Sequence, residues 1–147
     1  MKTGAKARAA ARLAAVQALY QFEMEGTRLE QLLDEFHRHR LGAEIEDEQY
    51  IDADVAFFDD LVKGALARRD EIDARLAEKL ASGWKIERLD RTMLQILRAG
   101  AYELLARADV PTPTVITEYV DVAHAFFDER EAKFVNGLLD GVARTVR

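Results

Sequence analysis

The sequence predicts an all-α fold of about seven helices in two packed helical bundles, and three observations predict it. Apolar residues recur at three- and four-residue steps along the chain, with no strand-like alternation of any length. Both prolines, Pro111 and Pro113, fall in one loop and interrupt no helix elsewhere. The stretch Leu89–Leu105 is apolar nearly all round, the pattern of a helix enclosed by others. Leu89, Met93, Ile96, Leu97, Gly100 and Leu104 form one face of it, and Leu94, Ala101, Tyr102 and Leu105 fill the other. Arg98 and Glu103 are its polar groups expected to be partly buried, and each then needs a partner.

The elements follow in order. A first helix spans about Lys6–Glu25 and stops at Gly26. Ala9, Leu13, Val16 and Tyr20 form one stripe on it. A second stripe, Arg8, Arg12, Ala15, Leu19 and Phe22, is cationic for two turns and apolar for the next two. Thr27 with Glu30 reads as a capping box for a helix whose apolar face is Leu29, Leu32, Leu33 and Phe36, closing near Gly42. Ala43–Tyr50 is acidic and turn-like. From Asp52 to Ser82 the apolar phase slips around Ala67–Asp70, which predicts two helices or one kinked helix, ended by Gly83. After Leu89–Leu105 comes a proline-stiffened loop, Ala108–Thr114, with Thr114 placed to cap the next helix. That helix has Ile116, Tyr119, Val120, Ala123 and Phe127 as its expected core face. The last turns Val135, Leu138, Leu139, Val142 and Val146 inward. Gly137 and Gly141 lower its helix propensity, and close helix–helix approach is the expected reason.

Composition bounds the function. The 147 residues suit a single domain over 1–147 with a real core. With 49% hydrophobic and 33% charged residues, the composition is globular rather than disordered. There is no cysteine, so disulfides and thiolate metal sites are excluded, which fits a reducing cytoplasm. No apolar run is long enough for a membrane span, and the basic N-terminus lacks the apolar stretch of a secretory signal. The net charge of −6 is uneven. Residues 1–12 carry Lys2, Lys6, Arg8 and Arg12 with no acid, leaving 17 basic against 27 acidic groups on the rest. A basic arm on an acidic body can hold a polyanion locally while the body repels it.

No catalytic constellation emerges. Asp34/His37 and Asp121/His124 have the carboxylate-x-x-His spacing of bundle metal sites, but each pair lies roughly 80–140° from the centre of its apolar stripe, so a metal is not expected. There is no glycine-rich phosphate loop, Ser82 is the only serine, and Asp59 and Asp60 read as solvent-facing. No cofactor is implied; the chain reads as one that binds rather than reacts. At the start of the last helix, Lys133, Phe134 and Asn136 stand together. An aromatic beside a cation and an amide stacks and hydrogen-bonds an unpaired base, whereas the same spacing also fits Phe134 as an ordinary core residue. Both readings stay open at this level.

Five segments together resemble the NusB family of bacterial transcription antitermination factors: Ala11–Gly26, Asp54–Gly64, Ile96–Leu105, Asp109–Phe126 and Lys133–Asp140. They occur in the family's order and cover nearly the whole chain. The resemblance implies a non-enzymatic all-α protein that binds the single-stranded boxA element of nascent RNA together with NusE, a small-subunit ribosomal protein. That pair joins RNA polymerase indirectly, through a larger complex that supports ribosomal RNA transcription. It places Arg8, Arg12, Lys133, Phe134 and Asn136 on RNA, with Lys2 and Lys6 completing the basic arm, and puts Tyr20 and Met24 toward NusE. There are departures: Ala9 and Ala10 dilute the cationic cluster, so weak RNA affinity of the isolated chain is expected, and Thr117 replaces an asparagine common in the family. Two other readings share these features. One is the RNA-binding domain that precedes some ribosomal RNA methyltransferases, which would make this chain a fragment. The other is a helical adaptor in which the basic arm is incidental.

Overall fold

In a computed structural model that describes residues 2–39, 41 and 54–147, with side chains from residue 4 onward, the helices are arranged around the stretch that is apolar on all sides. The expectations for Gly42 and Ala43–Tyr50 lie outside the described residues. Seven α-helices are present among the described residues: α1 Lys2–Glu25, α2 Leu29–His39, α3 Val55–Ala67, α4 Arg69–Lys79, α5 Arg91–Ala106, α6 Thr112–Phe126 and α7 Glu129–Val146. A single 3₁₀ turn, Ile86–Arg88, leads into α5.

Helix α5 starts where Asp90 accepts hydrogen bonds from the Thr92 and Met93 backbone N–H groups, at 2.8 and 3.1 Å. Every residue from Met93 to Leu104 is buried, including Gln95, Arg98 and Glu103. Helices α1 and α3 pack on one side of it, with α2 on α1, while α4, α6 and α7 pack on the other. Arg98 meets the expectation of partners: it forms a forked pair with Asp73 of α4, at 2.9 and 2.8 Å, and reaches Glu23 of α1 at 3.0 Å. Burial pulls the Arg98 pKa down, but the hydrogen bonds it donates to Asp73 and Glu23, with their charges, outweigh it and hold it above the ordinary value. The far end of α5 is closed by Arg147, whose guanidinium donates to the carbonyls of Leu104 and Arg107 at 2.9 and 2.7 Å.

The phase slip falls where the sequence places it, because Arg68 closes α3 and opens α4. Gly26 and Gly83 have positive φ, 69° and 88°, and Gly26 ends α1 as expected. Gly83 lies beyond the end of α4, because the chain is already extended at Leu80. In α2, Leu32, Leu33 and Phe36 are buried, and Phe36 stacks on Phe58 of α3 at 5.5 Å.

Several local expectations are corrected. On α1 both stripes contribute to the core: Arg12, Ala15 and Leu19 of the second are buried, as is Val16 of the first, whose ends Ala9 and Tyr20 are exposed. Ala11, Ala14, Ala15 and Ala18 bring the α1 backbone close to its neighbours, so small residues rather than large ones mark the buried face. Glu30 pairs with Arg28 at 3.6 Å on the surface instead of closing a box on Thr27. Helix α6 begins at Thr112, one turn's start earlier than a Thr114 cap would allow, since Pro113 fits the first turn. Its buried face is Val115, Tyr119, Val122 and Ala123, with Ile116, Val120 and Phe127 at the margin. Asp59 and Asp60 are partly buried and engaged: Asp59 with His37 at 2.6 Å, Asp60 with the Tyr102 hydroxyl at 2.7 Å and Arg107 at 3.1 Å. The close approaches lie at other glycines than expected. A Cβ on Gly100 would sit 2.8 Å from Leu139, and one on Gly64 would enter the Tyr102 ring. Gly137 faces open space, and Gly141 meets only the side chain of Lys79.

Candidate functional site

Three surfaces carry the residues singled out from the sequence. The first is the amino-terminal half of α1. The Lys2 side chain lies outside the described residues, and Lys6 is exposed. Arg8 is half-buried, 4.5 Å above the Phe57 ring, with Asp54 at 3.6 Å and Asp109 at 3.8 Å. The Asp54 N–H donates to the Ala7 carbonyl, which fixes the start of α3 beside this turn of α1. A cleft of about 370 Å³ opens here, lined by Gly4, Ala5, Arg8, Asp54, Asp109 and Thr114 among others.

Arg12 corrects the sequence reading. Its side chain is 3% exposed and grips Glu103 in a fork, Nε to Oε1 at 2.9 Å and Nη2 to Oε2 at 2.7 Å. Its third nitrogen donates to Glu118 at 2.8 Å. Tyr119 donates to the same Glu103 at 2.9 Å, so the fully buried carboxylate is satisfied from two helices. Burial opposes the charge on Arg12, yet the hydrogen bond and charge of Glu103, aided by Tyr119 and Glu118, raise its pKa. Burial and the Glu103 charge likewise push the Tyr119 hydroxyl well up. With three of its five N–H donors engaged and its side chain almost wholly buried at the base of the cleft, this guanidinium serves first to tie α1 to α5 and α6. The i, i+4 spacing of Arg8 and Arg12 gave no sign of this, because the deciding partner is 91 residues away.

The second surface is the outer face of α7. Val135, Leu138, Leu139 and Val142 point inward, leaving Lys133, Phe134, Asn136 and Gly137 exposed. Phe134 is 37% exposed, so the reading of it as a core residue does not hold. Lys133 and Asn136 line a groove of about 220 Å³ between α6 and α7, floored by Val120 and Ala132 and flanked by Thr117 and Glu129. Thr114 and Thr117 are exposed on α6 about one turn apart, so its outer face runs from the Arg8 cleft to this groove.

The third surface is the carboxy-terminal half of α1, roughly 18 Å along the helix from Arg8. Tyr20 and Met24 are 39% and 52% exposed. Beside Tyr20 lies a largely apolar groove of about 460 Å³, walled by Val16, Gln17, Phe36, Thr92 and Phe126. Phe126, 43% exposed, was missed from the sequence, because at i+4 from Val122 and i+3 from Ala123 it continues the buried stripe of α6 and its spacing marks it as core. Among the described residues no group of three or more His, Asp or Glu side chains is placed to hold a metal. No helix there is long and apolar enough to cross a membrane.

Comparison with known proteins supplies what geometry alone does not. Residues 9–144 match the model of the NusB family. The chain is 78% identical to the transcription antitermination protein NusB of Novosphingobium aromaticivorans, covering 97% of this chain and 96% of that one. It is 67% identical to the protein of the same name from Sphingopyxis alaskensis, covering 100% and 99%. Among solved structures, it is similar to NusB of T. maritima, with a TM-score of 0.75 at 29% identity over 93% of this chain and 90% of the other. It is also similar to a chain in the crystal structure of antitermination factors NusB and NusE in complex with dsRNA. That match has a TM-score of 0.79 at 26% identity and covers 95% and 98%.

Proposed function

This chain belongs to the NusB family, and from that membership and its exposed α7 face we propose that it is an antitermination factor that holds boxA RNA together with NusE. The observation that carries the RNA reading is the placement of Lys133, Phe134 and Asn136 on the solvent side of α7, with more than a third of Phe134 exposed. A ring there stacks an unpaired base, the lysine meets a phosphate, and the asparagine amide reads a base edge. Lys6 and Arg8, with Lys2, add phosphate contacts at the other end of α6's outer face. Arg12 acts from behind, by tying α1, which carries the basic turns, to α5 and α6.

Tyr20 and Met24, with Phe126 beside them, are the surface assigned to NusE. The arrangement is non-catalytic: the chain, acting as one domain in the cytoplasm, brings RNA and a ribosomal protein into one complex, which RNA polymerase meets indirectly. The structural relative that holds NusE and RNA supports this partnership. The sequence relatives, matched over nearly their full length, are named as antitermination proteins, which supports that reading over the methyltransferase one.

The test is a titration of boxA RNA, single-stranded and annealed to its complement, with and without NusE. Tighter binding of the single strand to the pair than to the chain alone is expected, and RNA must then tighten NusE binding by the same factor. Equal affinity with and without NusE would contradict the cooperative reading, and preference for the duplex would contradict base stacking.

A further inference from the structure

Of the two arginines on α1, Arg8 is the one that can leave its place at little cost. Arg12 is held by hydrogen bonds of 2.7–2.9 Å. Arg8 instead faces its carboxylates at 3.6 Å (Asp54) and 3.8 Å (Asp109), beyond hydrogen-bond length. Neither acid depends on it. Asp54 caps α3, accepting the Phe57 backbone N–H at 2.9 Å. Asp109 is gripped by Arg107 in a fork, with both bonds at 3.1 Å. That hydrogen bonding comes first among the causes that hold the Asp109 carboxyl below its usual range. Each acid therefore stays charged and in place whether Arg8 is there or not. The cleft is consequently not a basic one, although the most basic stretch of the chain lines it: Arg8 and Arg12 stand against Asp54, Asp109 and Glu118. A phosphate that reaches Arg8 comes well within the screening length of physiological salt, about 8 Å, of two fixed carboxylates.

We propose that Asp54 and Asp109 guard Arg8: they hold its charge in the cleft when no RNA is bound and oppose any phosphate that would draw it out, so that the basic arm does not capture RNA unaided. Binding is then an exchange of partners. Arg8 turns from the two carboxylates to a phosphate, while Asp54 keeps its helix cap and Asp109 its fork with Arg107. The opposition acts on phosphate and is blind to base sequence and to the NusE surface, which lies at the other end of α1. It lowers RNA affinity by the same factor with and without NusE, and leaves the tightening by NusE unchanged. The inference rests on the reading of the α1 arm as a phosphate contact and adds to it two residues that limit that contact.

Asp54→Asn and Asp109→Asn, made separately in the full chain, test the guard with boxA RNA and a scrambled strand of the same length. Asparagine caps a helix as well as aspartate does and keeps one oxygen for Arg107, so thermal midpoints near that of the parent are expected. Each substitution is expected to tighten binding of both strands roughly twofold to fivefold, the range of one exposed charge contact. The gain is expected to be the same with NusE present, and to shrink as salt is raised. Against an Arg8→Ala background it is expected to vanish. A gain that survives Arg8→Ala would overturn the inference, by reducing it to the loss of one negative charge near the arm. No gain in either variant, with weaker binding in Arg8→Glu, would overturn it while leaving the RNA reading in place. No change in any of these variants would overturn the guard and the phosphate role of the arm together.

Discussion

The two ends of the candidate RNA surface differ in where their charge goes. The amino-terminal turns of α1 are the most basic stretch of the chain, yet Arg12 is spent inside the protein on Glu103 and Glu118, and Arg8 sits between Asp54 and Asp109. The face of α7 has a single lysine at its centre, but Lys133, Phe134 and Asn136 all reach solvent. Charge written in a sequence is not charge available to a ligand; the acids that the fold brings alongside decide that. The partly exposed aromatic is the stronger sign of a binding surface, because the share of the ring left to solvent forgoes the stabilisation of burial.

The largest expected effect lies on the buried side of this contrast. Glu103→Ala strands the Arg12 charge in the interior and is expected to destabilise the fold by about 3–5 kcal/mol, read from a denaturant midpoint. Arg8→Ala, on the half-exposed partner pairs, is expected to change it by less than about 1 kcal/mol. Comparable losses in the two variants would erase the distinction between a structural and a surface arginine.

Phe134→Ala tests the other region. RNA affinity of the NusE complex is expected to fall by about 1–3 kcal/mol while stability falls by well under the roughly 3–5 kcal/mol of a fully buried Phe→Ala. A loss of stability with intact RNA binding would return Phe134 to the core. Met24→Asp, on the surface assigned to NusE, is expected to remove the tightening of RNA by NusE and to leave the weak affinity of the chain alone. Calorimetry on the four binding legs reads both quantities.

How much of this was legible in the sequence depends on the range of the interaction that decides each feature. Helix α5 was legible because its apolar residues surround the axis, and Arg98 and Glu103 were legible as buried groups in need of partners. The break between α3 and α4 showed as a slip of phase within a few residues. Arg12 was misread because a helical stripe counts a cation as outward-facing unless an acid is nearby in sequence, and Glu103 and Glu118 are near only in space. The same limit applies to Asp59 and Asp60, whose partners His37, Tyr102 and Arg107 come from other helices. Phe134 could not be placed because it lies only about 40° around the helix from Leu138, at the edge of the inward stripe. At Gly137 the sequence raised the right question, why a glycine sits there, and the open space around it answers against helix packing.

Two smaller effects sharpen the comparison. Arg8→Glu is expected to flatten the salt dependence of RNA binding by roughly 0.7 in the logarithmic slope for the one phosphate contact removed. An unaltered slope would show that Asp54 and Asp109 already hold Arg8 away from RNA. On the structural side, burial and then the Asp60 hydrogen bond push the Tyr102 hydroxyl from its ordinary 10.0 up to about 12. Because the folded pKa is the higher one, the unfolded chain loses this proton first. The stabilisation is therefore complete below about pH 10 and lost as pH rises toward 12. Tyr102→Phe is expected to make the alkaline fall in stability shallower, and an identical fall in both proteins would remove Tyr102 from its cause.

The central claim is that the exposed face of α7, rather than the basic turns of α1, meets the bases of the RNA. Ultraviolet cross-linking of single-stranded boxA RNA to the chain in complex with NusE, with the adducts mapped by mass spectrometry, tests it most directly. The account predicts a base adduct on Phe134 or the peptide around it. Adducts confined to α1, with the Lys133–Gly137 peptide unmodified, would contradict it.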